Sequence, residues 1–217
     1  MAKISVVGSG GWGTAIAVML SQNGYNPVLW SFFKEESEAI AKERENKRFL
    51  PGVRIGENVH TTANIEDCKN SDVIVMASPS HAVRNTAKIL ASAVGENQII
   101  LNIAKGLEEG THKRMSQVIK EEIPSCRVAV MSGPSHAEEV SRGIPTTNAV
   151  ACDDEEVALY IQDIFMNPNF RVYTNPDIIG VELGGSLKNV IALCCGILDG
   201  LGCGDNTKAA LMTRGLV

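Results

Sequence analysis

The stretch Lys3–Ala17, KISVVGSGGWGTAIA, constrains this chain more than any other. A short apolar run, Ile4-Ser5-Val6-Val7, ends at Gly8, and Gly8, Gly10 and Gly13 then fall at G-x-G-x-x-G spacing. Thr14-Ala15-Ile16-Ala17 continues in a helix-compatible pattern. Strand, glycine-rich turn and helix in that order form the βα unit that holds a dinucleotide pyrophosphate. One glycine makes the tight turn, a second lets phosphate approach bare backbone, and a third lets helix pack on strand. The helix N-terminus adds unpaired N–H groups and a partial positive charge. Gly8, Gly10 and Gly13 are therefore read as cofactor-binding, against the alternative of a purely structural turn.

Alternation continues down the chain. Trp12–Gln22 reads as a helix stopped by Asn23-Gly24, and Pro27–Trp30 as the second strand. An NAD-specific fold usually places an acid at that strand's end, to take the ribose hydroxyls. Here Ser31, Phe32, Phe33 and Lys34 follow instead, and Glu35 comes late. Lys34 could accommodate a 2′-phosphate, so NAD and NADP both stay open.

Glu35–Arg44 is expected to be a charged helix with a solvated face, and Phe49-Leu50-Pro51-Gly52 a loop. Asn58–Thr62 reads as a strand and Ile65–Lys69 as a short helix. After Asp72, VIVMAS is the continuous apolar run of a strand buried on both faces. It ends in Pro79-Ser80-His81 at the carboxyl edge, where His81 reads as a rim or helix-start residue ahead of an acid–base one. Ala82–Val94 is a helix and Gln98–Ile103 a strand, ending in Ala104-Lys105-Gly106. Lys105 projects toward the glycine turn's edge or, as most lysines do, into solvent. Thr111–Glu122 is expected to be helical and Arg127–Met131 a strand. Ser135, with Glu138 three residues on, has the pattern of a capping box. Thr147–Cys152, Glu155–Met166 and Phe170–Thr174 complete the alternation as strand, helix and strand. The predicted class is α/β, a Rossmann-type doubly wound, mostly parallel sheet.

The pattern changes at Asn175-Pro176-Asp177. Residues 1–175 are read as a dinucleotide-binding domain, and 176–217 as the start of an all-helical second domain. A long helix over Asp177–Gly200 carries Lys188, flanked by Gly184-Gly185-Ser186 and Asn189. Each glycine inside a helix costs about 1 kcal/mol relative to alanine, a cost that close approach of a backbone or ligand would explain. Val217 ends an apolar segment without a stop signal, so a fragment of a longer chain is expected.

Composition narrows the partners. A net charge of −5 over 217 residues makes no electrostatic case for nucleic acid or an anionic membrane. The longest apolar run, Val190–Leu198, falls short of the roughly 20 residues that span a bilayer, so no membrane insertion is expected. Cysteines 68, 126, 152, 194, 195 and 203 lack zinc-type spacing and read as reduced thiols in a cytoplasmic protein. No metal site is expected.

Three stretches together carry a specific resemblance: GSGGWGTAIA; NIAKGLE with MSGPSHAEEV; and ELGGSLKNVIALCCGILDGLGCGDNTKAALMTRGL. The chain resembles the bacterial-type NAD(P)-dependent glycerol-3-phosphate dehydrogenases over its whole length. That resemblance implies reversible hydride transfer between NAD(P)H and dihydroxyacetone phosphate, giving sn-glycerol 3-phosphate for glycerophospholipid synthesis. It implies Lys188 as the catalytic lysine, exchanging a proton with the carbonyl oxygen. Lys105, Gly133, Ser135 and Lys188 match substrate-contacting positions, and Gly11, Trp12, Phe32, Lys105 and Ala137 cofactor-contacting ones. Two lysines converging on one pocket should depress each other's pKa. Asp205-Asn206-Thr207-Lys208 reads as support beside the site. His136 departs from the family's usual phenylalanine. Residues for the substrate phosphate would lie beyond Val217, so this chain is expected to bind cofactor but turn over poorly. The partner implied is a small molecule, with a homodimer allowed. Other two-domain dehydrogenases, of 6-phosphogluconate or 3-hydroxyacyl type, and a non-catalytic nucleotide sensor are the alternatives.

Overall fold

A computed structural model of the chain describes residues 1–215. The expectation resting on Val217 lies outside the described residues. The opening stretch forms β1 (Ile4–Val7) and α1 (Gly11–Gln22), followed by β2 (Val28–Trp30) and α2 (Lys34–Glu43). A small hairpin, β3 (Glu45–Asn46) and β4 (Leu50–Arg54), precedes β5 (His60–Thr62). Then come β6 (Val73–Met76), α3 (Val83–Leu90), β7 (Ile99–Asn102), α4 (Met115–Glu122) and β8 (Arg127–Ser132). The last elements are α5 (Ala137–Ser141), β9 (Thr146–Cys152), α6 (Glu155–Phe165), β10 (Phe170–Asn175), α7 (Ile178–Gly200) and α8 (Gly204–Gly215).

Eight strands form one sheet in the order β10-β9-β8-β7-β6-β1-β2-β5. The six from β5 to β8 pair in parallel, and the order reverses between β1 and β6. That switch point opens a crevice at the carboxyl ends of β1 and β6, the standard ligand position of such sheets. β9 runs antiparallel to β8, and β10 follows β9 in parallel. The chain therefore leaves β10 at the edge opposite the crevice.

Apolar runs explain why the central strands sit where they do. In β6, Val73 and Val75 join one core cluster while Ile74 and Met76 join the other. Both faces are buried, so the run needs no polar alternation. α1 and α6 cover the first face, α3 and α4 the second. The three buried thiols, Cys68, Cys126 and Cys152, are free, and burial pushes the Cys68 thiol up to about 11.

Several local expectations change. Residues 49–52 are not a plain loop, because Leu50–Arg54 pairs antiparallel with Glu45–Asn46. Pro51 is tolerated there because a two-stranded ribbon has only edges. The helix expected from Thr111 starts at Met115, since Gly110 and His112 take positive φ and Leu107 bridges Arg114. Ser135 does not cap α5: His136 holds that place, without a side-chain bond. α7, by contrast, runs as expected, over Ile178–Gly200. At 23 residues, with a window of mean hydropathy 1.5, it is long and apolar enough to cross a membrane by length and composition alone.

Candidate active site

The glycine turn has a distinct environment at each of its three glycines. Gly8 has φ +121°, and a Cβ there would meet the Ala77 backbone at 2.8 Å. A Cβ on Gly13 would strike the Gly8 carbonyl oxygen, so helix and strand touch through bare backbone. Over Gly10 nothing lies within 4 Å. The middle glycine therefore leaves open space, while its neighbours are tightly packed. Gly10 caps α1 without a side-chain bond, so the first amides of the helix lack partners within it and suit an anion.

From this turn a groove of about 440 Å³ extends along the ends of β2 and β6. Gly8, Gly10, Phe32 and His81 line it, so His81 is an exposed rim residue of the groove. Phe32 is about half exposed and packs edge-on against Trp30 and Phe33. Lys34 does not line this groove; it pairs with Glu38 at 3.5 Å on the surface. Gly11 is wedged between the Phe49 carbonyl oxygen and Ala137, which joins the first turn of α1 to the start of α5. Trp12 packs half-buried against the first core cluster.

A second group forms where β7, β8 and α7 meet. The Lys105 ammonium donates to the Gly133 carbonyl oxygen (3.0 Å) and to Ser135 Oγ (3.3 Å). Ser135 Oγ also donates to the Gly133 carbonyl oxygen at 3.2 Å. The serine that resembles a cap is thus a lysine ligand. Lys105 is half-buried, and desolvation first, then the charge of Lys188, lowers its pKa below the ordinary lysine value. The depression expected between the two lysines is present at Lys105. Lys188 itself is exposed, with its ammonium 3.0 Å from Asn189 Oδ1.

α7 reaches this spot because Gly185 has no side chain. A Cβ there would collide with Ser132 Oγ and lie 3.9 Å from the Lys105 stem. One turn of contact is then sealed by Ser186 Oγ, which accepts the Gly106 N–H at 3.0 Å. Gly184 has no such neighbour. Farther along, Lys208 donates to Asp199 at 2.8 Å and ties α8 to α7, a structural role.

Two further features escape the sequence reading. Glu182 is buried on α7 and accepts from Ser116 N–H (2.8 Å), Ser116 Oγ (2.5 Å) and Arg114 (2.7 Å). It closes the N-terminus of α4 from another helix, where a carboxylate suits the dipole. Glu36 folds back toward the glycine turn, bonded to Ser31 and Ser9. For each, a deciding partner lies far along the chain: Ser9 is 27 positions from Glu36 and Ser116 is 66 from Glu182.

Comparison with known proteins decides the family. Residues 3–158 match the model of the NAD-dependent glycerol-3-phosphate dehydrogenase N-terminus, and residues 177–217 that of its C-terminus. The chain belongs to the NAD-dependent glycerol-3-phosphate dehydrogenase family. It is 55% identical over 219 residues to a glycerol-3-phosphate dehydrogenase [NAD(P)+] of Fusobacterium nucleatum, covering 100% of this chain and 65% of that protein. A namesake from Moorella thermoacetica is also 55% identical, over 99% of this chain and 64% of its own length. The chain thus spans less than two thirds of the length of these relatives. The crystal structure of glycerol-3-phosphate dehydrogenase from Coxiella burnetii superposes with a TM-score of 0.90 at 33% identity, over 99% of this chain and 66% of that one. A likeness to a ketopantoate reductase from Ralstonia eutropha, at 14% identity and TM-score 0.66, reflects the shared fold alone.

Proposed function

We propose that this chain carries the cofactor site and the lysine pair of an NAD(P)-dependent glycerol-3-phosphate dehydrogenase. The substrate on this reading is dihydroxyacetone phosphate, reduced to sn-glycerol 3-phosphate for glycerophospholipid synthesis in the cytoplasm. The observation that carries it is Lys105 held by Gly133 and Ser135 within electrostatic reach of Lys188, at the edge where the glycine turn opens. Residues 1–175 act as the dinucleotide-binding unit and 176–217 as the start of the catalytic helical unit.

The chemistry follows from charge. A carbonyl becoming an alkoxide needs positive charge and a donor aimed at the growing anion. When bound, the nicotinamide supplies the hydride to the carbonyl carbon. Lys188 gives a proton from its ammonium to the carbonyl oxygen, leaving a hydroxyl on the product and a neutral amine that solvent reprotonates. In oxidation the amine takes that proton back. Lys105, held in place by Gly133 and Ser135, keeps a charge against both substrate and cofactor. Gly8, Gly10, Gly11, Gly13 and Trp12 shape the pyrophosphate turn; Phe32 and Ala137 wall the cofactor.

The direct test is Lys188→Ala in the full-length protein, followed by dihydroxyacetone-phosphate-dependent oxidation of NADH. Reduction should fall by about 10²- to 10⁴-fold while NADH still binds. Surviving reduction would remove Lys188 from the mechanism.

A further inference from the structure

The end of β2 carries no acid, yet the groove beside it does contain one. Glu36 is the third residue of α2, six positions beyond the last residue of β2. Its side chain turns back so that Oε2 accepts from Ser31 Oγ at 2.6 Å and lies 2.9 Å from Ser9 Oγ. The two serine oxygens are themselves 2.7 Å apart. Ser9 stands between Gly8 and Gly10, so the carboxylate is tied to the phosphate turn itself.

The other oxygen is the informative one. Glu36 Oε1 is buried and has no hydrogen-bond partner. A carboxylate only accepts, and leaving a buried acceptor unmet is costly. Tilting the carboxyl toward the groove that Glu36 lines would let two neighbouring hydroxyls supply the missing donors; a phosphate dianion would supply only more negative charge. The groove wall holds one guanidinium, Arg48, stacked on the Phe49 ring at 4.7 Å. Lys34, the cation that the sequence brings nearest to this position, is paired with Glu38 elsewhere.

We infer that Glu36 selects the dinucleotide, accepting the hydroxyls of an unphosphorylated adenosine ribose and repelling a 2′-phosphate, so that NADH is preferred to NADPH. This rests on the cofactor reading above. The specificity acid has moved from the strand end to the first turn of the next helix, where two serines anchor it.

Calorimetric titration of the chain with NADH and with NADPH tests the assignment. The unaltered chain should bind NADH roughly tenfold or more tightly than NADPH, the worth of hydrogen bonds to a charged group. Glu36→Gln should erase most of that ratio, mainly by tightening NADPH, with little change in melting temperature. Glu36→Asp keeps the charge and should keep the preference. A purely structural glutamate would shift the melting temperature, or both affinities alike, and leave the ratio intact; that result overturns the inference. Equal binding of the two by the unaltered chain also overturns it, while leaving the cofactor reading standing. Tighter NADPH binding, lost in Arg48→Ala, would pass the choice to Arg48. Binding of neither would bring down the cofactor reading and this inference together.

Discussion

At the glycine turn, strands buried on both faces hold a stretch of backbone in place; along α7, a polar clamp holds a side chain in place. β1 and β6 are held by apolar residues buried under two helical layers, with the Ser5–Ser71 hydroxyl pair as a polar exception. α7 instead exposes more than half of Leu187, Val190, Leu193 and Ile197. What docks it is Glu182 on the start of α4, Gly185 against Ser132 and Ser186 on Gly106. On the proposed reading, the contrast teaches that binding and chemistry rest on different forces. A core can position a turn by packing, but the lysine proposed to face substrate rides on an element held at a few polar points.

The sharpest way to break that division is Lys188→Ala. Reduction should fall by about 10²- to 10⁴-fold, the usual worth of a positioned acid. NADH affinity should be unchanged, because the turn is independent of α7. Equal loss of both would show the regions to be one unit.

Next in size is Glu182→Ala, which strands Arg114 and the Ser116 N–H without their acceptor. Breaking a buried pair from one side costs about 3–5 kcal/mol. Amide exchange should quicken along residues 178–188 while the central strands stay protected. Uniform exchange throughout would argue that α7 and the sheet unfold together.

A pH series sharpens the comparison further. Lys105 loses its proton below the ordinary lysine value of 10.5, because burial and Lys188 both disfavour its charge. Anion binding should therefore weaken, as pH rises, before exposed lysines titrate. Lys105→Arg keeps its charge through that range and should carry the alkaline limb upward. Dissociation constants measured across the alkaline range give the answer.

The smallest effect belongs to a surface network outside both regions. Arg84 bonds Glu108, Glu121 and Glu122, and holds the Glu108 carboxyl down to about 2. A depressed carboxylate contributes stability above its unfolded pKa, near 4.5, and loses it as pH falls toward 2. Arg84→Met should raise the acid-unfolding midpoint slightly, seen by circular dichroism, and leave NADH binding untouched.

Much of the fold was legible because its signals are local. Val73–Met76 and Ile99–Leu101 announce buried strands by unbroken apolar runs, and Gly8 to Gly13 announce the turn by spacing. The lysines needed more: Lys105 looks like any surface lysine until β8 brings Gly133 and Ser135 beneath it. Ser135 misled because Ser-x-x-Glu is also a capping pattern, and only the lysine bond distinguishes the two. Glu36 and Glu182 were illegible for a physical reason. Each acts on groups of another element, Ser9 for one and Ser116 for the other, and no periodicity encodes such a meeting.

The reversal at β9 has a consequence for how the lysine is aimed. Because β10 ends at the far edge, α7 must ascend the height of the sheet before it reaches the crevice. Ten residues separate Ile178 from Lys188, which at 1.5 Å each is about 15 Å, close to the length of a strand like β8. The lysine's height is thus fixed by helix length, and its heading by helical phase. One alanine inserted between Asp177 and Gly185 would raise Lys188 by only about 1.5 Å but swing it about 100° around the axis. The same insertion would turn Gly185 away from Ser132, so position and heading would fail together.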